Sequence, residues 1–112
     1  MMDWMSLLVA PALAGTVVPP SERAVSLEIS ERGDKIVVEL NANSPHRQHV
    51  SFTVELTGNS TSKHSGSITL AANDHQTLST LKMGNAGKWC ARVVVEEEGS
   101  APYELREGIC ET

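Results

Sequence analysis

Two cysteines are the residues of this sequence with the clearest chemistry. Cys90 and Cys110 are the only two among 112 residues. They are too few for a four-cysteine zinc site, and no C-x-x-C spacing supports a thioredoxin-like dithiol. One disulfide in an oxidising compartment therefore fits the pair best. Two roles remain open, a structural disulfide and a redox-active one.

The remaining candidates for catalysis or metal binding are weak. His46 and His49 form an H-x-x-H pair without a third ligand nearby in sequence, and the other histidines, His64 and His75, are scattered. The segment 58–63 has the composition of a phosphate loop but not the G-x-x-x-x-G-K-[ST] spacing, and no G-x-S-x-G accompanies the serines. We expect neither an enzyme nor a metal or cofactor site.

The charge balance limits the class of partner. The chain has 9 Lys and Arg against 14 Asp and Glu, a formal net charge of −5. Binding to nucleic acid depends largely on cationic contacts with phosphates, so an acidic domain of this size is not expected to bind DNA or RNA.

The N-terminal residues resemble a secretory signal. Residues 5–14 are apolar, too short a run to span a bilayer, and end in the A-x-A pattern Ala12-Leu13-Ala14. Although no Lys or Arg precedes them, we interpret 1–14 as a signal peptide, 15–23 as a Pro-containing lead and 24–112 as one domain. This predicts an exported protein without stable membrane insertion.

The body of the chain has the alternation of β-strands. Seven short apolar–polar runs are separated by turn residues, and no sustained helical stripe interrupts them. This pattern predicts an all-β fold, an immunoglobulin-like seven-stranded antiparallel β-sandwich, with a small barrel as the alternative. Leu78 and Leu81 break the period of two, which predicts a bulge in the fifth run. The apolar positions of the first three runs are Val25, Leu27 and Ile29; Ile36, Val38 and Leu40; and Val50, Phe52, Val54 and Leu56.

The last two runs, 88–97 and 103–110, predict a hairpin. If its turn is centred on Ser100, paired residue numbers sum to 200 and Cys90 faces Cys110. Directly opposed residues lie within disulfide range, so a Cys90–Cys110 bridge is expected. The same register pairs Val95 with Leu105 and Ala91 with Ile109 on the core face.

A basic strip is expected on the outer face of this hairpin. Alternation places Lys88, Arg92 and Arg106 beside the cysteines, with Arg106 opposite Val94 and diagonal to Arg92. Glu96 and Glu104 are then opposed further along. The strip is either an ordinary solvated face with ion pairs or a surface that binds an acidic partner.

At these residues the sequence resembles a known family. The runs Gly87-Lys-Trp-Cys-Ala-Arg-Val-Val-Val-Glu96 and Tyr103-Glu-Leu-Arg-Glu-Gly-Ile-Cys110, with the seven-strand pattern, resemble the CsgC/CsgH-like curli amyloid-inhibitor chaperones, in particular the alphaproteobacterial branch. The likeness extends over the mature chain and is most specific from Val50 to Cys110.

The resemblance implies a periplasmic, non-enzymatic chaperone. It implies a transient, substoichiometric and electrostatically guided contact with the curlin subunit, which prevents amyloid nucleation before export, and it favours a monomer with Lys88, Arg92 and Arg106 as the contact surface. The enterobacterial branch carries a Cys-x-Cys motif, whereas Ala91 and Arg92 follow Cys90 here. A periplasmic thiol-redox partner and an immunoglobulin-like adhesion or assembly module are the alternative functions.

Overall fold

A computed structural model describes residues 17–85 and 87–110 of the chain. These residues form seven strands after a short 3-10 helix at Pro20–Glu22. The predicted signal peptide lies outside the described residues. No helix within the described ranges is long and apolar enough to cross a membrane. The strands are β1 (Val25–Arg32), β2 (Lys35–Ala42), β3 (Gln48–Thr57), β4 (Thr61–Leu70), β5 (Gln76–Gly84), β6 (Cys90–Glu97) and β7 (Tyr103–Gly108).

The strands form two antiparallel sheets. One has the order β1-β2-β5 and the other the order β4-β3-β6-β7. The predicted immunoglobulin-like sandwich is confirmed. In the constant-type arrangement the fourth strand pairs with the fifth strand, whereas here β4 pairs with β3 and ends the four-stranded sheet.

The core follows from the alternation read in the sequence. Val50, Val54 and Leu56 of β3 are at most 1% exposed, and they face Ile36 and Leu40 of β2, which are fully buried. Burying alternate side chains of β3 removes their apolar area from water, while the polar residues between them stay at least partly exposed. The same alternation determines which side chains of β6 and β7 point outward.

The predicted irregularity in the fifth run is a bulge in β5. The register between β2 and β5 shifts between Leu40 and Asn41, whose partners are Ser79 and Thr77, so that Leu78 is the unpaired extra residue. The extra residue restores the inward direction of both Leu78 and Leu81, which pack against the core.

The register predicted for the last hairpin is wrong by two residues. Val95 pairs with Tyr103 and Val93 with Leu105, so paired numbers sum to 198, and the turn is centred on Gly99 rather than Ser100. Gly99 has φ +74°, a conformation that glycine adopts without steric cost, and the Ser100 N–H donates to the Glu97 carbonyl at 3.0 Å.

The predicted pairs of Val95 with Leu105 and of Ala91 with Ile109 are therefore wrong. Ala91 is opposite Glu107, and Ile109 is 53% exposed instead of buried in the core. The error leaves every strand face unchanged, because a slip of two residues keeps the same side chains pointing inward.

The predicted Cys90–Cys110 disulfide is confirmed, although it arises differently from the predicted register. Cys90 is opposite Gly108, where β7 ends with φ +90°. The Ile109 N–H then donates to the Trp89 carbonyl at 2.8 Å, which brings the Cα atoms of Cys90 and Cys110 to 5.0 Å. A Cβ at position 108 would lie 2.4 Å from the Trp89 carbonyl oxygen, so this close approach requires glycine.

Candidate functional site

The outer face of the hairpin carries the predicted basic side chains. Arg92 and Val94 alternate with the buried Ala91 and Val93 along β6, and Arg106 lies on the exposed side of β7. Arg92 and Arg106, the two residues of the predicted basic strip that lie within strands, therefore share the outer face of the hairpin, as predicted.

Their pairing differs from the prediction, because the register differs. Arg106 lies directly opposite Arg92, and Val94 is opposite Glu104. The predicted pairs of Arg106 with Val94 and of Glu96 with Glu104 are wrong. Two guanidinium groups opposed across a strand pair repel each other unless a carboxylate lies between them.

Glu104 supplies that carboxylate. Its Oε1 lies 2.8 Å from Nη2 of Arg106 and its Oε2 lies 3.2 Å from Nε of Arg92. Oε1 also accepts a hydrogen bond from Nε of Arg106 at 3.0 Å. Arg92 and Glu104 are a third exposed, at 33% and 34%, so water screens the pair and the contacts contribute little to stability. We call Arg92, Glu104 and Arg106 the arginine–glutamate cluster; its formal charge is +1.

Lys88 lies beside the disulfide, in the loop before β6. It lines a shallow depression with Trp89, Cys90 and Ile109, and an adjoining depression is lined by Cys90, Ile109 and Arg92. Lys88 and Arg92 thus line neighbouring depressions that share Cys90 and Ile109. The exposed Ile109 adds apolar area between them.

The charges continue across the sheet in one row. Glu55 of β3 is opposite Arg92 on one side and opposite Lys63 of β4 on the other. Across the four strands, from the β4 edge to the β7 edge, the residues of this row are Lys63, Glu55, Arg92 and Arg106. Three cations to one carboxylate make this row cationic, although the chain as a whole is acidic.

A buried polar network is the feature that the sequence analysis missed. Glu97, 5% exposed, accepts hydrogen bonds from the Tyr103 hydroxyl at 2.6 Å and the Ala24 N–H at 2.8 Å through Oε2, and from Gln48 Nε2 at 3.2 Å through Oε1. Burial, together with the hydrogen bond to Glu97 and the negative charge of that residue, raises the pKa of Tyr103 well above its ordinary value of about 10. The alternation could have found the network, since Glu97 falls on the inward parity of β6.

The histidines show no joint arrangement. His49 Nδ1 lies 3.3 Å from Thr69 Oγ1, and His64 Nδ1 lies 2.8 Å from Ser79 Oγ. Within the part of the chain that the structure describes, no group of three or more His, Cys, Asp or Glu residues is placed to hold a metal ion.

Solved structures of other proteins have the same fold as this chain. No protein-family model and no curated protein matches the sequence. The solution structure of CsgH from R. palustris matches at 18% identity with a TM-score of 0.55, covering 75% of this chain and 89% of that one. The E. coli curli protein CsgC matches at 15% identity with a TM-score of 0.57, covering 75% and 96%.

A superoxide reductase from Nanoarchaeum equitans also matches, at 7% identity with a TM-score of 0.52, covering 84% of this chain and 98% of that one. The sandwich therefore also occurs in an enzyme, and the fold by itself does not decide the function. At these identities the comparisons establish the fold, which is that of CsgH and CsgC. The resemblance to the CsgC/CsgH-like proteins drawn from the sequence is confirmed by these structural matches.

Proposed function

We propose that this protein is a periplasmic chaperone that inhibits amyloid nucleation of a curlin-type subunit through transient electrostatic contacts. The observation that carries the proposal is the fold that the chain shares with CsgH and with the curli protein CsgC over three quarters of its length. The Cys90–Cys110 disulfide supports export, because disulfides persist in oxidising compartments.

Lys88, Arg92 and Arg106 form the contact surface in this proposal. Arg92 and Arg106 lie on the outer face of β6 and β7, and Lys88 lies in the loop before β6. Val94 and Ile109 are exposed in the same part of the chain. A surface with few apolar side chains and several charges suits an encounter that is fast and brief. The client in this proposal is therefore an acidic, curlin-like subunit. We further propose that the chaperone acts as a monomer.

Weak contacts agree with a substoichiometric role. An inhibitor present at a few mole percent has too few copies to sequester every monomer, so it must act on a rare species such as an early nucleus, and then be released. Charge contacts raise the association rate more than the residence time. Such an inhibitor loses potency as salt screens its charges, over a distance of about 10 Å at 0.1 M ionic strength.

The test is the lag time of curlin amyloid formation, followed by thioflavin-T fluorescence. We expect a few mole percent of the wild-type protein to lengthen the lag at low salt, and less so at high salt. The double variant Arg92→Glu with Arg106→Glu reverses the charge of the cluster. It should shorten the added lag several-fold, because electrostatic steering changes association rates by about 10-fold or more.

The matched control reverses two cations on the other sheet. Lys35 and Lys82 are exposed on β2 and β5, which belong to the three-stranded sheet and not to the sheet of β6 and β7. Lys35→Glu with Lys82→Glu changes the net charge by the same amount and should leave most of the inhibition. An unchanged lag with wild-type protein at low salt contradicts the proposed function. Equal losses in the two double variants contradict the assignment of the surface.

A further inference from the structure

Strand β4 ends the four-stranded sheet, and its outer edge is long and regular. It spans ten residues, all paired with β3 without a register shift. Among the described strands β3 is its only hydrogen-bonded neighbour. The opposite edge of β4 therefore has unpaired backbone groups, which natural sheets usually protect.

The turn into β4 shows which residues have those groups. Thr57 and Thr61 form the last pair, and inside it the Gly58 N–H donates to the Ser60 carbonyl at 2.9 Å. Thr57 and Thr61 are thus a non-hydrogen-bonded pair, so the even residues of β4 bond to β3 and the odd residues point away from it. On the other side of β3 the Glu98 N–H donates to the His49 carbonyl at 3.0 Å, which gives the same parity.

The residues with outward backbone groups are all exposed. All but one are hydroxyl residues, none is proline and none is acidic; they are Thr61, Lys63, Ser65, Ser67 and Thr69. Gly66, which would weaken an isolated strand, is covered by the ring of Phe52, since a Cβ there would lie 3.1 Å from Phe52 Cζ. β4 therefore stays paired with β3 along its whole length, including at Gly66.

Each of the other three edges has at least one protective feature. β1 contains the charged residues Glu28, Glu31 and Arg32, and its first N–H, that of Val25, donates to the Tyr103 hydroxyl at 3.4 Å. β5 is broken by the bulge at Leu78. β7 has only six residues, with the charged Glu104 and Arg106 at its centre, and the disulfide fixes the chain beyond it. Charges, bulges and shortness are the devices that prevent edge pairing, and β4 has none of them over Ser65–Thr69.

We propose that an extended segment of the curlin-type client adds to β4 as a fifth strand of this sheet; the identity of the client rests on the proposed function. Main-chain hydrogen bonds to the odd residues of β4 hold the segment, in the manner of β-strand addition. Lys63 is the charged residue of β4 at this edge, and its ammonium group favours a carboxylate on the added strand. The client segment is therefore one in which an acidic residue is flanked by uncharged residues. A strand on this twisted sheet is kept out of the flat, in-register stacking of cross-β fibrils.

Ser65→Pro tests the proposal. The Ser65 N–H points away from β3, so proline removes an edge donor and leaves the hydrogen bonds to β3 intact. We expect the variant to lose more than half of the lag extension that the wild-type protein gives with purified curlin-type subunit. Thr80→Pro is the matched control, because Thr80 is exposed on β5 and its N–H faces the free edge of the other sheet. This control should inhibit like the wild type.

A second measurement uses the unmodified protein, in case Ser65→Pro does not fold. Monomeric curlin-type subunit is titrated into the ¹⁵N-labelled chaperone, and the loss of amide signal intensity should be greatest at Lys63, Ser65 and Ser67. Full inhibition by a folded Ser65→Pro variant, or signal loss confined to β6 and β7, overturns the β4 assignment and leaves the proposed function standing. A wild-type protein without effect on the lag overturns both.

Discussion

Glu104 limits how cationic the proposed contact surface is. It lies between Arg92 and Arg106 and contacts both guanidinium groups, so one of the two positive charges is compensated locally. A carboxylate here prevents the two opposed arginines from destabilising the sheet. It also competes with any acidic client for the same guanidinium groups.

Removal of this carboxylate should strengthen inhibition. Glu104→Gln keeps the size of the side chain and removes its negative charge, so the charge of the arginine–glutamate cluster rises from +1 to +2. We expect a longer thioflavin-T lag than with the wild type at low salt, and the same lag at high salt. The free energy of unfolding should fall by less than about 1 kcal/mol, because the side chains of the ion pairs are a third to nearly half exposed to water.

Glu28→Gln is the control for net charge. Glu28 lies in β1 on the other sheet, where it accepts a hydrogen bond from Asn41. If Glu28→Gln and Glu104→Gln lengthen the lag equally, the total charge of the protein decides its potency as an inhibitor. The position of the cluster then has no special role.

At the scale of elements, the disulfide ties the end of the β6–β7 hairpin. It closes a loop with a sequence separation of 20, and a crosslink of this span stabilises the fold by restricting the unfolded chain. Its removal should lower the free energy of unfolding by about 3 kcal/mol. Cys90→Ser with Cys110→Ser should therefore unfold at lower denaturant concentration. We expect a variant that is still folded to inhibit amyloid formation like the wild type.

The same variant separates the two roles left open for the cysteines. If they act as a thiol-redox pair, inhibition is lost although circular dichroism shows an intact sandwich. It should then also vanish when the wild-type protein is reduced under conditions that keep it folded. Retained inhibition in both experiments assigns the disulfide to stability alone.

The alternation of side chains made the faces of the strands predictable, but not the pairing between them. The faces of β6 and β7 were right because the period of two is a local property of the sequence. The register was wrong because it depends on which turn residue adopts a left-handed conformation. Gly99 does so with φ +74°, one position before the centre that was assumed.

The arrangement of charges followed from that register and was therefore only partly predictable. The sequence placed Arg92 and Arg106 on one face but not directly opposite each other. The position of Glu104 between them depends on the same two-residue difference. The burial of Glu97 was missed because it lies in a run of three glutamates, whose composition indicates a solvated turn.

At the scale of the whole molecule, the Glu97 network joins the two sheets. Ala24 precedes β1 of one sheet, whereas Glu97 and Tyr103 lie in β6 and β7 of the other. The apolar contacts between sheets are not directional, but these hydrogen bonds fix one strand end against another. The Tyr103 hydroxyl also accepts a hydrogen bond from the Val25 N–H, so the network reaches the first backbone group on the outer edge of β1.

Tyr103→Phe should weaken this connection and remove one pH dependence. Loss of the hydroxyl leaves Glu97 with fewer donors and should lower the free energy of unfolding by about 1–3 kcal/mol at neutral pH. In the wild type the folded-state pKa of Tyr103 lies above that of the unfolded chain, so the unfolded state releases its proton first as pH rises above about 10. Stability from this group is therefore full below pH 10 and is lost as pH rises further.

Urea unfolding of both proteins between pH 8 and about pH 11 measures the difference in their free energies of unfolding. The lysines titrate in both proteins, so their contribution cancels in this difference. We expect the two free energies of unfolding to converge at high pH, because the tyrosine of the unfolded wild type then ionises and the advantage of the buried neutral phenol disappears. A parallel decline of the two free energies would contradict the raised pKa.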